Sequence, residues 1–362
     1  MDKNQSVSLK AFAVVLMFWH HLFGCDTFLT NGIYYPYFSF GSEFEIVVAL
    51  GGKLCISLFA FASGYGLYKS YVEKANYSKI LTSIFKFLME YWVVMFVVAI
   101  PYLLYFDKFN LDYLLVNLFT LLHNDEMLYV SLSWYVKVHL GFLIMCPLMK
   151  YVSSKCNNFM LEIYLFIVLP RMLTIYLPYS EAEFVDLGTS ILSSISLLCR
   201  WLPVFYVGVL FAKYGIIEKI RSKTFIGVGE DSIWKTVISL VVSSLLIISS
   251  LYLRCGWGED SLTNSICVIV FLVGFDELYY RVIKRIKIIE EIVVFVGKYS
   301  FQFWLLSGMF FLNTTEFTWL LYLPKYKILI CIWNFVILIP LAVITKKVAG
   351  FVTQIALKNM GK

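Results

Sequence analysis

Long apolar stretches alternate with short polar ones along the whole chain of 362 residues. The stretches at 236–253 and 328–345 contain no charged residue. As a helix, each would be ~27 Å long, which is close to the thickness of the hydrocarbon core of a bilayer. The pattern therefore predicts an all-α fold, namely a polytopic bundle of membrane-spanning helices.

Ten of these stretches are long enough to be transmembrane helices. They lie at 8–24, 45–68, 87–106, 132–149, 159–178, 190–212, 234–253, 261–280, 291–312 and 326–345. An eleventh stretch, 113–123, would be only ~17 Å long as a helix and cannot cross a bilayer alone. We therefore predict about ten transmembrane helices, with 113–123 as a short extracytoplasmic re-entrant or surface helix. Residues 1–350 form a single transmembrane domain in this prediction, and 351–362 form a short cytoplasmic tail.

The positions of Lys and Arg predict the orientation of the bundle. If 113–123 does not span the membrane, twenty basic residues fall on one side and only four on the other. The positive-inside rule assigns the richer side, which includes the clusters at 69–86 and 281–287, to the cytoplasm. Both termini are then cytoplasmic, and the chain is a multi-pass protein of the cell membrane.

Composition agrees with a protein whose main partner is the lipid bilayer. The chain is 60% hydrophobic and only 15% charged, whereas soluble domains are about half apolar and about a quarter charged. The net charge of +6 is therefore not an indication of nucleic-acid binding. Eight cysteines are scattered without a CxxC pair, so we interpret them as small buried residues and predict no metal site.

The first predicted span carries polar groups on one face. Lys10 and His21 are eleven residues apart, which is three helical turns plus ~20°, so both lie on the same face with ~16.5 Å between them along the axis. Lys10 is expected at the cytoplasmic mouth, and His21 at mid-depth or slightly beyond. His20 points ~100° away and is expected to pack against a neighbouring helix.

Further polar side chains are expected at a similar depth in later spans. Trp134, Lys137 and His139 lie in the outer part of the fourth span, Arg171 lies in the fifth, and Arg200 lies in the sixth. Charged groups within a membrane usually face a cavity or the inside of the bundle. Taken singly, Arg171 could pair with carbonyls at a helix end, and Lys137 could extend to the membrane surface. As a set, these cations suit an anionic or carbonyl-bearing ligand.

Several short motifs follow one another along the spans. The first helix carries a basic residue, ten residues and a histidine, here Lys10 and His21. The second ends in a phenylalanine-rich Ser-Gly-Tyr element, "LFAFASGYGLY", which contains Ser63, Gly64 and Tyr65.

Later motifs continue the same order. The third predicted span is preceded by Ser83 and Lys86, which have the spacing of the two basic residues in an R-x-x-R motif but supply only one of them. A helix that begins with "SWY" and reaches a proline follows at 133–147, then a glycine-containing span end at 205–215 and the element "VGKYSFQFWLLSG" at 296–308.

In these motifs and their order, the sequence resembles the acyltransferase-3 family of bacterial integral membrane acyltransferases. The resemblance covers nearly the whole chain. Two positions depart from the family pattern: Ser83 replaces the first basic residue of R-x-x-R, and Ser307 stands where the last motif often has histidine. Because of the second departure, the role of that histidine is either dispensable in this chain or filled by His139 or His20.

The resemblance implies a cytoplasmic acyl-CoA donor, usually acetyl-CoA, and an acceptor hydroxyl on a sugar of an envelope or exported glycan. Acyl-CoA is then a co-substrate, with no cofactor resident in the protein. Lys10 and Lys86 are expected to meet the CoA phosphates, His21 to act as general base, and His139 to assist catalysis. The residues expected to bind the acceptor or stabilise an oxyanion are Arg171, Arg200, Lys137, Trp134, Tyr65 and Ser63. A homodimer is compatible with the sequence.

Two other functions remain open at this point. A transporter or flippase for a glycan or lipid-linked sugar would also need a polar cavity in a polytopic bundle. Transporters often show repeated halves with paired broken helices, and this sequence shows none. A structural membrane subunit is the third alternative, but it gives the charges within the spans no purpose.

Overall fold

The computed structural model describes residues 1–24, 42–73, 78–119, 128–155, 158–177, 187–223, 233–257, 260–313 and 316–359. All regular elements in these ranges are helical, so the predicted all-α class is confirmed. The α-helices are α1 Lys3–Phe23, α2 Ser42–Gly51, α3 Leu54–Leu67, α4 Ser78–Val94, α5 Ile100–Tyr105, α6 Leu114–Phe119, α7 Trp134–Lys155, α8 Phe159–Ile163, α9 Leu169–Tyr176, α10 Leu187–Tyr214, α11 Ile216–Lys223, α12 Ile233–Trp257, α13 Ser261–Leu278, α14 Lys287–Lys298, α15 Ser300–Ser307, α16 Thr318–Leu321 and α17 Lys327–Asn359.

The number of long helices fits a polytopic membrane protein. Within the described ranges, eight helical stretches are long and apolar enough to cross a membrane, and the pair α14 and α15, bent by 59°, makes a ninth if it counts as one span. The other predicted span, 261–280, corresponds to the eighteen residues of α13. The predicted short helix is present as α6, while 120–127 lies outside the described residues. The last helix continues to Asn359, so most of the predicted tail is helical. The orientation in the membrane stays a prediction.

Two of the spans contain a wide π-helical turn just before a proline. Met95–Ala99 precedes α5, which carries Pro101, and Tyr164–Val168 precedes α9, which carries Pro170. Proline has no N–H and collides with the carbonyl four residues earlier, so a wider turn accommodates it without ending the helix. The chain therefore crosses the bundle as one continuous helix in each case.

Burial separates central helices from peripheral ones. The span at 191–214 is 83% buried, whereas the spans at 159–176 and 234–257 are only 17% and 22% buried. The peripheral spans expose large apolar side chains such as Ile238 and Met160. Aliphatic side chains pointing outward from an apolar helix are what contact with lipid requires. The polar groups of the candidate site lie on both kinds of helix, since Arg171 and Arg254 belong to the two peripheral spans.

The central helices α3 and α10 cross at very short range. Gly64 on α3 and Gly208 on α10 face each other's backbone, and an added Cβ would overlap the carbonyl oxygen of Phe205 or of Phe61, respectively. Small residues allow membrane helices to approach this closely, where dispersion forces between backbones replace the hydrophobic effect. The glycine of the Ser-Gly-Tyr element therefore has a packing role.

Candidate active site

His21 lies in the last turn of α1, and one of its ring nitrogens has no partner. Its Nδ1 is buried and makes no hydrogen bond within the described part of the chain. His20 differs, because its Nδ1 lies 2.8 Å from the carbonyl oxygen of Ala49 on α2. The expectation that His20 packs against a neighbouring helix is thus confirmed. His21 keeps its imidazole available for a ligand.

A pair of glycines brings cationic side chains to this end of α1. A Cβ on Gly52 would lie 2.7 Å from the carbonyl oxygen of Leu16, and one on Gly51 would lie 2.5 Å from that of Leu251 on α12. The next residue, Lys53, is close enough to His21 for an electrostatic interaction.

Arg254 belongs to the same region. It is buried, it lies one turn beyond Leu251 on α12, and both it and Lys53 act electrostatically on Cys55. Two cations that act on one buried side chain form an environment that favours negative charge on a bound group, and Lys53 extends this environment to His21.

Lys10 lies in a second polar neighbourhood, and its predicted position at the cytoplasmic mouth stays a prediction. It interacts electrostatically with Glu90 on α4 and Lys346 on α17. Glu90 accepts a hydrogen bond of 2.6 Å from the amide of Gln302, which is fully buried on α15. The bend between α14 and α15 lies just before Gln302, so the broken helix supplies part of this neighbourhood.

His139 belongs to the neighbourhood of Lys10. Its ring centroid lies 4.4 Å from that of Phe87 and 6.5 Å from that of Tyr135, and Lys10 acts on it electrostatically. His21 instead has its ring contact with His20, at 5.0 Å. The two histidines expected to act in catalysis thus lie in different surroundings.

Aromatic side chains fill the space around Tyr135. Trp134 stacks on Trp201 with 6.2 Å between centroids, and the Trp304 ring lies 5.2 Å from that of Tyr135. Ser63 lies next to the Tyr135 hydroxyl, which makes no well-formed hydrogen bond within the described residues. The structure therefore brings Ser63 and Trp134 close to one aromatic cluster.

Ser307, on α15, packs against the face of α1 that carries Lys10 and His21. The Ser307 hydroxyl lies 3.6 Å from the Sδ of Met17 and is fully buried. Met17 precedes His21 by four residues and follows Lys10 by seven, so all three share one helix face. The serine thus stands beside the face that connects Lys10 with His21.

Arg171 and Arg200 line one cleft together. The cleft has a volume of about 310 Å³, and Thr174, Asp260 and Ser261 complete its described lining. Arg171 forms an ion pair of 2.5 Å with Asp260. Lys137, on α7, does not line this cleft, and its Nζ donates to the hydroxyl of Ser194 on α10 over 3.3 Å.

Tyr65 and Lys86 lie apart from His21. The Tyr65 hydroxyl donates to the carbonyl oxygen of Met1 over 3.2 Å, whereas His21 lies at the other end of α1, ~27 Å away along the axis. Tyr65 thus lies at the end of α1 opposite to His21, and its expected role in binding the acceptor stays a prediction. Lys86 is exposed on α4, and Ser83, at the first position of the incomplete R-x-x-R, hydrogen-bonds to Tyr71.

The family model for the acyltransferase-3 family, described as an acyltransferase domain, matches residues 8–345. The chain belongs to the acyltransferase-3 family. No curated protein and no solved structure matches the chain. The match covers every motif described above, from the Lys10 helix to the last long helix, and it identifies the chain as a membrane acyltransferase.

The predicted site residues divide among three neighbourhoods of the bundle. Lys10 and His139 share one, His21 lies in the second with Lys53, and Arg171 and Arg200 form the third. The sequence predicted a single cluster at one depth, because charge and helix position give depth but not the rotation of one helix against another.

Lys53, Arg254 and Asn264 are the polar residues that sequence reasoning missed. Asn264 is fully buried, and neither atom of its amide has a partner within the described residues. A signal for Lys53 was present, since a lysine directly after two glycines inside an apolar stretch indicates close backbone packing around a charge. Arg254 offered no such signal, because it ends an ordinary apolar helix.

Proposed function

We propose that the protein is an O-acyltransferase that moves an acyl group, most simply acetyl, from cytoplasmic acyl-CoA to a hydroxyl of an envelope or exported glycan. The observation that carries this proposal is the buried, unpartnered Nδ1 of His21 beside the cation of Lys53. Burial of an unsatisfied polar atom costs free energy, so a ligand hydrogen bond at this atom has a physical rationale.

In the proposed reaction, His21 is the general base. Its imidazole accepts the proton of the acceptor hydroxyl while that oxygen attacks the thioester carbonyl carbon. The carbon–sulfur bond then breaks, and the imidazolium returns the proton to the departing CoA thiolate. Lys53 and Arg254 would stabilise the negative charge that develops on the carbonyl oxygen. An acyl-histidine intermediate would divide the same transfer into two steps.

The donor would follow the face of α1 that holds Lys10, Met17 and His21. Lys10 and, on the exposed side, Lys86 supply positive charge for the CoA phosphates. The pantetheine arm would then extend ~16.5 Å along the helix from Lys10 to His21. This arrangement separates a donor entrance near the first turns of α1 from an acceptor region near its end.

A transfer assay with purified protein tests the proposal. The protein in lipid nanodiscs is incubated with radiolabelled acetyl-CoA and an envelope glycan fraction, and alkali-labile label on the glycan is counted. A general base contributes roughly 10²–10⁴-fold, so His21→Ala should lose at least a hundredfold in rate. His20→Ala should keep most of the rate in whatever fraction remains folded, because His20 bonds to Ala49.

Transfer by His21→Ala at the wild-type rate would remove His21 as the base. If the wild type transfers no acetyl group but moves the glycan across sealed liposomes, the transporter alternative replaces the enzyme. Deleting the protein from cells and measuring ester-linked acetate on each surface glycan would then identify the acceptor.

A further inference from the structure

The side-chain amide of Gln302 is bonded at one end and not at the other. Gln302 is fully buried on α15, and its Nε2 donates a hydrogen bond of 2.6 Å to the carboxylate of Glu90 on α4. Its Oε1 is also buried but has no hydrogen-bond partner in the described part of the chain. Buried amide oxygens are nearly always bonded, so this atom is expected to accept a hydrogen bond from something that the protein binds.

Glu90 determines which end of the amide is left over. An ionised carboxylate accepts hydrogen bonds and cannot donate one, so the NH2 group of Gln302 faces Glu90 and the carbonyl oxygen faces away from it. The same carboxylate interacts electrostatically with Lys10 on α1. The unsatisfied atom is thus an acceptor close to the expected donor site, and it selects a ligand group that carries an N–H or O–H.

Gln302 lies beside the path that the donor would follow along α1. An added Cβ on Gly297 would overlap the carbonyl oxygen of Val7, and the hydroxyl of Ser307 lies 3.6 Å from the Sδ of Met17. The segment from 297 to 307 therefore runs alongside α1 in the same direction. Gln302, at the midpoint of this segment, lies at a level between Val7 and Met17, which is the first half of the proposed donor path.

The groups around Gln302 leave an opening between the helices. Lys10, Glu90 and His139 belong to three different helices, and each is only partly buried. Polar groups within a membrane bundle that keep exposed surface usually face an internal cavity. Phe87 contributes an apolar wall, since its ring centroid lies 4.4 Å from that of His139 and 4.4 Å from that of Phe301. Polar and apolar groups in alternation suit a chain of amide and methylene groups.

We infer that Gln302 accepts a hydrogen bond from the pantetheine amide nearer to the CoA phosphates, and that Glu90 is a positioning residue that holds the Gln302 amide in the accepting orientation. The pantetheine arm is a flexible chain with two amide N–H donors, and the amide nearer to the phosphates would pass Gln302 when the phosphates are held at Lys10. The inference rests on the proposed function, because it uses the acyl-CoA donor and its path. It adds a contact that recognises the arm itself, independently of the acyl group.

Binding of unreactive CoA analogues tests the inference. Purified protein in nanodiscs is titrated by calorimetry with desulfo-CoA, which cannot carry an acyl group, and with the same compound after an ester replaces the amide nearer to the phosphates. The ester keeps the chain length and the carbonyl group but has no N–H. The amide compound should bind roughly three- to tenfold more tightly, as expected for one neutral hydrogen bond. Equal Kd values for the two compounds in the wild type would overturn the inference.

Variants assign the preference to the two residues. Gln302→Leu should bind both compounds with the same Kd, and Gln302→Met replaces it if the leucine variant does not fold. Gln354→Leu, which alters an exposed glutamine on α17, is the matched control and should keep the preference. Glu90→Gln should reduce the preference, because an amide partner allows the Gln302 amide to turn over. An unchanged ratio of the two Kd values would overturn the role of Gln302 in its own variants and that of Glu90 in Glu90→Gln.

The binding test is separable from the proposed function. Lys10→Ala should weaken both compounds alike, because it acts on the phosphates, and the ratio of their Kd values should stay as in the wild type. If His21-dependent acetyl transfer is observed but the two compounds bind equally, the assignment of Gln302 alone is wrong. If the preference depends on Gln302 but no acetyl group is transferred, the proposed function alone is wrong. Absence of binding by either compound would overturn the inference together with the acyl-CoA donor.

Discussion

At the scale of single residues, Lys10 is the side chain with the clearest expected kinetic effect. Loss of one charged contact with a CoA phosphate should raise the KM for acyl-CoA roughly ten- to hundredfold in Lys10→Ala, with little change in the KM for the glycan. Lys10→Arg should restore most of the affinity, since the position calls for a positive charge. Lys347→Ala, an exposed lysine of α17, is the matched control. Unchanged KM in both Lys10→Ala and Lys86→Ala would contradict donor entry along α1.

Glu316 gives a residue-scale prediction about acid stability. Its hydrogen bonds with Lys108, at 2.6 Å, and with Tyr102 lower the pKa of the carboxyl to about 2. The charged form is thus favoured by folding, and its contribution is fully present above about pH 4.5 and is lost as the pH falls towards about 2. Because the pair is largely exposed, the contribution should be at most about 1 kcal/mol.

Thermal unfolding of wild type and Glu316→Gln between pH 1.5 and 6 measures this contribution. The wild type should lose its advantage over the variant as the pH decreases, and the two curves should meet at the acid end. A constant difference across this range would show that the carboxylate charge has no part in stability.

Residue types and spacing predicted part of the geometry of α1. The shared face of Lys10 and His21 follows from helical periodicity alone, and the packing role of His20 followed from its different direction. The sequence could not show that Lys53 approaches His21, because that contact depends on two glycines fitting against two separate helices. Contacts between helices depend on their rotation and crossing, which apolar patterns leave open.

At the scale of helices, the crossing of α3 and α10 is the contact most sensitive to side-chain size. Gly64→Ala and Gly208→Ala each add a methyl group where a backbone carbonyl already lies. Overpacking of this kind costs typically ~1–3 kcal/mol, and a backbone neighbour cannot move aside as a side chain can. Gly66→Ala is a matched control two residues away, because nothing lies within 4 Å of its added Cβ.

Unfolding in detergent, followed by cysteine accessibility or intrinsic fluorescence, distinguishes these variants. Gly64→Ala and Gly208→Ala should unfold at clearly lower temperature than Gly66→Ala and wild type. If all three variants behave alike, the two helices do not pack at the distance described.

Helix existence was easier to predict than helix shape. Long apolar runs located the spans, but the sequence did not show the 59° bend between α14 and α15, which occurs at Tyr299 without a proline. The π-helical turns before Pro101 and Pro170 show the opposite case, since the prolines were visible and the chain still continued as helix. Tertiary packing decides which of these outcomes occurs.

At the scale of the whole molecule, the predicted topology can be tested by chemical labelling. In a variant without native cysteines, Asn124→Cys should react with an impermeant maleimide in intact cells, because 113–123 is predicted to be extracytoplasmic. Glu73→Cys, at the exposed end of the second span, should react only after permeabilisation. The reverse pattern would invert the bundle, and labelling of Asn124→Cys only after lysis would make 113–123 a true span.

The mutual fit of Gly64 and Gly208 also limits how sequences of this family can diverge. A side chain at either position would push the two helices apart, and that separation would remove the need for glycine at the other. A single substitution at either position is therefore not tolerated by itself. A relative can lose one of the two glycines only if the packing between the two helices changes as a whole. Among relatives, glycine should persist or disappear at the two positions together, although they lie far apart in the chain.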